Sequence, residues 1–237
     1  MKIERNIQGV PVLTSKDLTT PQSLLKAVKE FNTKPHTPDL ITKTFQTIWT
    51  VRSEELKKQG VYVEFALLHC PYTQKKIQQL EKEGKRTGLR LLENNPSLLA
   101  TLWPGMDVDI NEGELEAINN KTVVLDWFNY ENSIDAPHLN TTEEQLKQEF
   151  EKQGRQMLDI TNDYLIAAQD SKLITDYYLG EVSTFTRGLY NGHVVSARFV
   201  PDGQLRVFSF LRPGSCGPIL GGRSREGLIK KLKTLPT

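Results

Sequence analysis

The sequence predicts an α+β fold, and three observations carry that prediction. Apolar residues recur at helical spacing over much of the first two thirds of the chain, two short apolar runs in the middle read as strands, and two strong hairpin turns sit close together near the end. The 237 residues, 38% of them hydrophobic and 25% charged, suffice for one self-supporting core and exclude collagen-like, rod-like and wholly disordered polymers. The expectation is therefore a single domain over 1–237, with 1–180 and 181–237 as its candidate subdivision. The parts are a helical region with two central strands and a three-stranded antiparallel meander packed on the helices.

The elements follow in order. Thr20 and Pro21 have the chemistry of an N-cap and a first helical residue, and Leu24, Leu25, Val28 and Phe31 continue on one stripe. Thr37 and Pro38 repeat the device, with Ile41, Phe45 and Ile48 running toward a stop at Gly60. Val61 to Leu68 reads as a buried strand, and the polar run from Pro71 to Glu83 as a surface helix closed by Gly84. Leu89 to Leu102 suggests a helix interrupted at Pro96, and Thr122 to Phe128 a second strand. Thr141 and Glu144 have capping-box spacing, opening a long helix through Leu146, Phe150, Met157 and Leu165 to Ala168. Asn191-Gly192 and Pro201-Asp202-Gly203 then divide 182–211 into three strands, with Phe199 facing Leu205 and Ala197 facing Val207. After a Gly-rich stretch from Gly214 to Gly222, Ser224 is expected to cap a short basic helix ending near Lys233.

Charge is unevenly distributed although the net value is only +1. Residues 1–106 carry a balance of +6, 107–182 of −12 and 183–237 of +7. Neighbouring blocks of opposite sign can attract one another within the fold. The basic C-terminal block alternatively suits an acidic protein or a phosphate-bearing ligand. Nucleic acid is the less favoured partner. No run approaches a membrane span, and the charged first residues lack the apolar core of a secretory signal, so a cytoplasmic location is expected. Two cysteines are too few for a disulfide framework.

Several short motifs approach known chemistry. His69-Cys70-Pro71-Tyr72-Thr73 stands where a strand gives way to a helix and resembles the Cys-Pro-Tyr-Cys site of glutaredoxins, with Thr73 in place of the resolving sulfur. It also resembles the tyrosine-phosphatase loop, with Lys76 where the phosphate-gripping arginine belongs. Asp107, Asp109 and Asn111 begin like a calcium loop, but Glu112 and Ile118 occupy the positions that need Gly and a bidentate Glu. Gly217 to Ser224 resembles a P-loop with Arg223 replacing its lysine and too little chain beyond it for the strands that complete such folds. Anion binding alone asks for less: backbone amides at Gly221 and Gly222, the Ser224 hydroxyl, and the side chains of Arg223 and Arg225.

Gly192-His193-Val194-Val195, the turn at Asp202-Gly203 and the strand after it resemble the histidine hairpin of papain-like and ubiquitin-like-protease-like cysteine peptidases. In those families a group about sixteen residues on orients the imidazole, and Ser209 holds that place here. The resemblance implies a thiol-dependent hydrolase or acyl transferase with His193 as general base. Cys216 is the first candidate nucleophile, because a loop five residues past Leu211 can fold back, and Cys70 the second. The opposing reading is a non-catalytic binding or adaptor protein using the basic Gly-rich region. His36, His69 and His138 lack ligand spacing, so no metal and no other cofactor is expected.

Overall fold

The computed structural model describes residues 22–65, 69–92, 98, 121–181, 184–190, 193–200, 205–208 and 214–226. Helices α1 (Gln22–Thr33) and α2 (Pro38–Lys58) pack on each other at the N-terminal end. Thr37 caps α2 by accepting the Leu40 amide at 3.1 Å, Pro38 starts the helix, and Gly60 at φ +81° ends it. The stripe Ile41, Phe45, Ile48, Trp49 is buried as its spacing requires. Strand β1 (Val63–Phe65) follows, and then α3 (Gln74–Lys82), whose N-cap is Thr73.

The main departures from the sequence reading lie in the middle. Lys85–Leu91 is a strand, β2, where a helix was expected from Leu89 onward. Its partner is β4 (Leu125–Glu131), antiparallel with Arg86 opposite Tyr130 and Arg90 opposite Asp126, while β3 (Lys121–Val123) pairs in parallel with β1. The long helix is also cut short. α4 (Glu143–Lys152) has a capping box on Thr142 and Gln145, one residue later than the spacing suggested, and Gly154 at φ +65° turns the chain into β5 (Arg155–Met157). Removing the cap hydroxyl with Thr142→Ala should lower stability by about 1 kcal/mol in denaturant titration.

A π-helical turn (Ile160–Tyr164), capped by the Asp159 carboxylate, leads into α5 (Leu165–Thr175), which is buried along most of its length, including the polar Gln169, Asp170 and Ser171. β6 (Phe185–Tyr190), β7 (His193–Phe199) and β8 (Leu205–Phe208) form the antiparallel meander, and its register of Phe199 to Leu205 and Ala197 to Val207 is the one expected. A fourth strand, β9 (Leu220–Gly222), joins in parallel beside β6. Ser224 caps no helix. It opens strand β10 (Ser224–Glu226), which completes a second sheet in the order β2-β4-β10-β5. One hydrophobic cluster runs from Phe31 and Phe45 through Trp127 and Ile166 to Val195 and Phe199, so the core crosses the candidate subdivision near Gly180. Tyr178 stacks on Phe199 across it with ring centroids 4.5 Å apart. The fold is thus mixed α+β, and no helix among the described residues is long and apolar enough to cross a membrane.

Candidate functional site

The strand register keeps the proposed cysteine and histidine apart. His193 faces Tyr190 and shares its side of the meander with Val195 and Ala197, because side chains alternate along a strand. Arg187 lies on the opposite side, and its guanidinium donates to the carbonyls of Thr141 and Ser215, the residue before Cys216. Cys216 therefore belongs to the face toward α4, and His193 to the other. The candidate orienter Ser209 lies outside the described residues, as do the calcium-like positions 107–112 and 118.

Cys70 is also unsuited to nucleophilic work. It is buried against α2, its amide donates to the Thr42 hydroxyl at 2.9 Å, and burial pushes its thiol above the usual range. A glutaredoxin-like thiol requires the reverse shift. The helix N-terminus that could supply it begins at Gln74, with Thr73 spent as cap.

From Leu220 onward the Gly-rich segment is built into the sheets. Gly221 and Gly222 belong to β9 and lie against the 136–137 turn and Leu146. The Arg223 guanidinium is fully buried and donates to Thr186 Oγ1, the Glu131 carbonyl and the Ile134 carbonyl at 3.2, 2.8 and 2.9 Å. Ser224 donates its amide and hydroxyl to Glu131. Arg225 pairs with Asp163 at 2.8 Å. The expected cradle is corrected on these grounds: a strand has replaced the helix N-terminus, and the cations face protein acceptors instead of solvent.

Sequence reasoning missed those acceptors. Glu131, Asn129, Arg155 and Glu226 form a network in which Arg155 donates to Asn129 and Ser224, and Asn129 and Tyr72 both donate to Glu226. Burial together with the Glu226 charge raises the Tyr72 phenol. The available signal was Leu125 to Glu131, where Asp126, Asn129 and Glu131 interrupt an aromatic run that otherwise reads as core.

A cavity of about 340 Å³ opens elsewhere, between the α1–α2 corner, α3 and the start of β2. Phe31, Ile41, Ile77 and Leu80 give it an apolar wall. Lys34, Lys85, Arg86 and Glu81 line its polar side, with Asn32, Thr87 and Asn132 as neutral groups, and Lys34 also lies 3.8 Å from Glu30 outside the lining. His36 braces the corner: its ring stacks on Phe31 at 4.0 Å, Nε2 contacts the Phe31 carbonyl at 2.9 Å, and Nδ1 contacts Glu81. Gln74 fixes the same corner by donating to the His36 carbonyl at 2.6 Å. Lys85 pairs with Glu83 at 2.8 Å, and Arg86 lies beside the Tyr130 hydroxyl, whose pKa burial pushes up to about 12. Among the described residues no three His, Cys, Asp or Glu side chains converge as a metal-binding set.

No family model matches this chain, and neither a characterised protein nor a solved structure matches it.

Proposed function

We propose that this protein binds a small organic anion in the cavity between α1, α3 and β2, and acts as a binding protein. The ligand class is a carboxylate or phosphate carried on a short aliphatic or ring system. The observation that carries the reading is the division of one concave site into an apolar wall at Phe31, Ile41, Ile77 and Leu80 and a polar side with Lys34, Lys85 and Arg86, where an anion would compete with Glu30 and Glu83 for the two lysines. Sites for small molecules combine largely apolar walls with a few fixed polar groups, and the volume lies at the small end of their range. This site shares no residue with the Gly-rich segment at which the sequence suggested anion binding.

Titration with phenyl phosphate, followed by amide chemical shifts, tests this. Resonances of Phe31, Ile77 and Lys85 are expected to move saturably. Lys85→Glu should weaken binding about tenfold or more, equivalent to about 1.4 kcal/mol, and Ile77→Trp should abolish it by filling the cavity. Lys57→Glu, at the far end of α2, should change nothing. Shifts spread over the whole surface, or an unaltered affinity in Lys85→Glu, would refute the proposal.

A further inference from the structure

The meander carries positive charge that no other described residue answers. β8 is outermost in the order β8-β7-β6-β9, so its second backbone edge points away from β7. Register sets Arg198 directly opposite Arg206, and Ser196 opposite Phe208. Arg206 and Phe208 therefore share a face with Arg198. Like charges directly opposed across an antiparallel pair repel, and an anionic group beside them would relieve that repulsion.

Among the described residues neither arginine has a carboxylate partner. Arg198 instead lies over the Phe185 ring at 4.6 Å, and its Nε is buried without a hydrogen-bond partner. Phe185 meets Phe208 edge to face at 5.3 Å. Phe208 itself is 45% exposed, and Val207 on the other face is exposed too. The Arg206 guanidinium and an open aromatic ring thus border a strand edge that no other described strand occupies, with Arg198 one strand further in.

We propose that the edge of β8 docks an extended acidic segment of a partner protein, which adds to the sheet as a further strand. Backbone groups of β8 supply the pairing, and alternate side chains of the incoming strand supply the choice. One position sets a carboxylate beside Arg206, whose charge is reinforced by Arg198 on the next strand. The position two residues away sets an apolar side chain against Phe208, within the separation of neighbouring cross-strand pairs. The balance of +7 over 183–237 draws in an acidic partner. A single-stranded nucleic acid would use the same rings and guanidinium groups but leave the backbone edge without a role. The inference is independent of the small-anion cavity.

The test uses fluorescence anisotropy with the full chain and a labelled peptide alternating Glu and Val, its Lys–Val counterpart, and labelled oligothymidylate. The Glu–Val peptide is expected to bind saturably and the Lys–Val peptide not to bind. Arg206→Glu should weaken the first about tenfold or more and gain affinity for the second, with an unchanged circular dichroism spectrum. Phe208→Ser gives a second measure that leaves charge intact, and should weaken the Glu–Val peptide several-fold. Absence of saturable binding, an Arg206→Glu protein that binds both peptides as the parent does, or tighter binding of oligothymidylate than of the Glu–Val peptide overturns the proposal.

Discussion

Asp163→Ala is expected to lower the free energy of unfolding by about 3–5 kcal/mol, the usual cost of removing one partner from a buried ion pair. Asp163 is completely buried and joins three elements: Arg90 of β2 at 3.1 Å, Arg225 of β10 at 2.8 Å, and the Asp159 amide at the π-helical turn at 2.9 Å. Its loss leaves Arg90 buried beside Asp126 alone, at 3.6 Å. Urea titration should show a lower midpoint with little change in slope. The pH dependence has a definite sign. Burial raises the Asp163 carboxyl, against the opposing pull of Arg225 and Arg90. The folded chain therefore takes up this proton before the unfolded one, and the group's contribution to stability grows as pH falls toward the unfolded value near about 4. The difference between wild type and Asp163→Ala should widen between about pH 7 and pH 4. If it narrows, the two guanidinium groups outweigh burial, and the carboxyl titrates low.

The same residues explain what was legible in the sequence. Thr37-Pro38, Gly60, Gly84 and the turn flanked by Phe199 and Leu205 act through chain neighbours, so local chemistry alone placed α2, the end of α3 and the register of β7 on β8. β2 was not legible because Lys85, Arg86 and Arg90 suit a surface segment, and only the distant acceptors on β4 and the π-helical turn let Arg90 be buried. The long-helix expectation failed at Gly154, where a left-handed residue ends α4, although Met157 still falls near the same apolar stripe. Ser224-Arg225-Glu226 has the composition of a helix start, but pairing with Met157, Gln156 and Arg155 draws it into a sheet. The cavity escaped notice for a topological reason. Its residues come from the end of α1 and start of α2, from α3, from the start of β2 and from Asn132 just past β4, and none carries a recognisable motif alone.

Gly221→Ala separates strand packing from phosphate cradling at the segment that most resembled a nucleotide loop. A methyl group at Gly221 would lie 2.2 Å from the Pro137 carbonyl oxygen and 3.2 Å from the Ala136 side chain. The nearest obstacle is backbone, and Gly222 N–H donates to the same carbonyl at 2.9 Å, so relief requires moving β9 away from the 136–137 turn. Overpacking of this kind costs about 1–3 kcal/mol, and a lost hydrogen bond places the expectation at the upper end. At Gly222 the obstacle is the Leu146 side chain, 2.8 Å away, which can rotate, so Gly222→Ala should cost less. Gly217→Ala meets nothing within 4 Å and should stay within about 0.5 kcal/mol of wild type. The two explanations rank these variants differently. Phosphate cradling needs Gly217 and Gly222, the two glycines of its pattern, and predicts that inorganic phosphate raises the melting temperature until either is replaced. Strand packing predicts the order Gly221, Gly222, Gly217 in thermal unfolding, with the spacing between variants the same in phosphate as in a non-binding buffer.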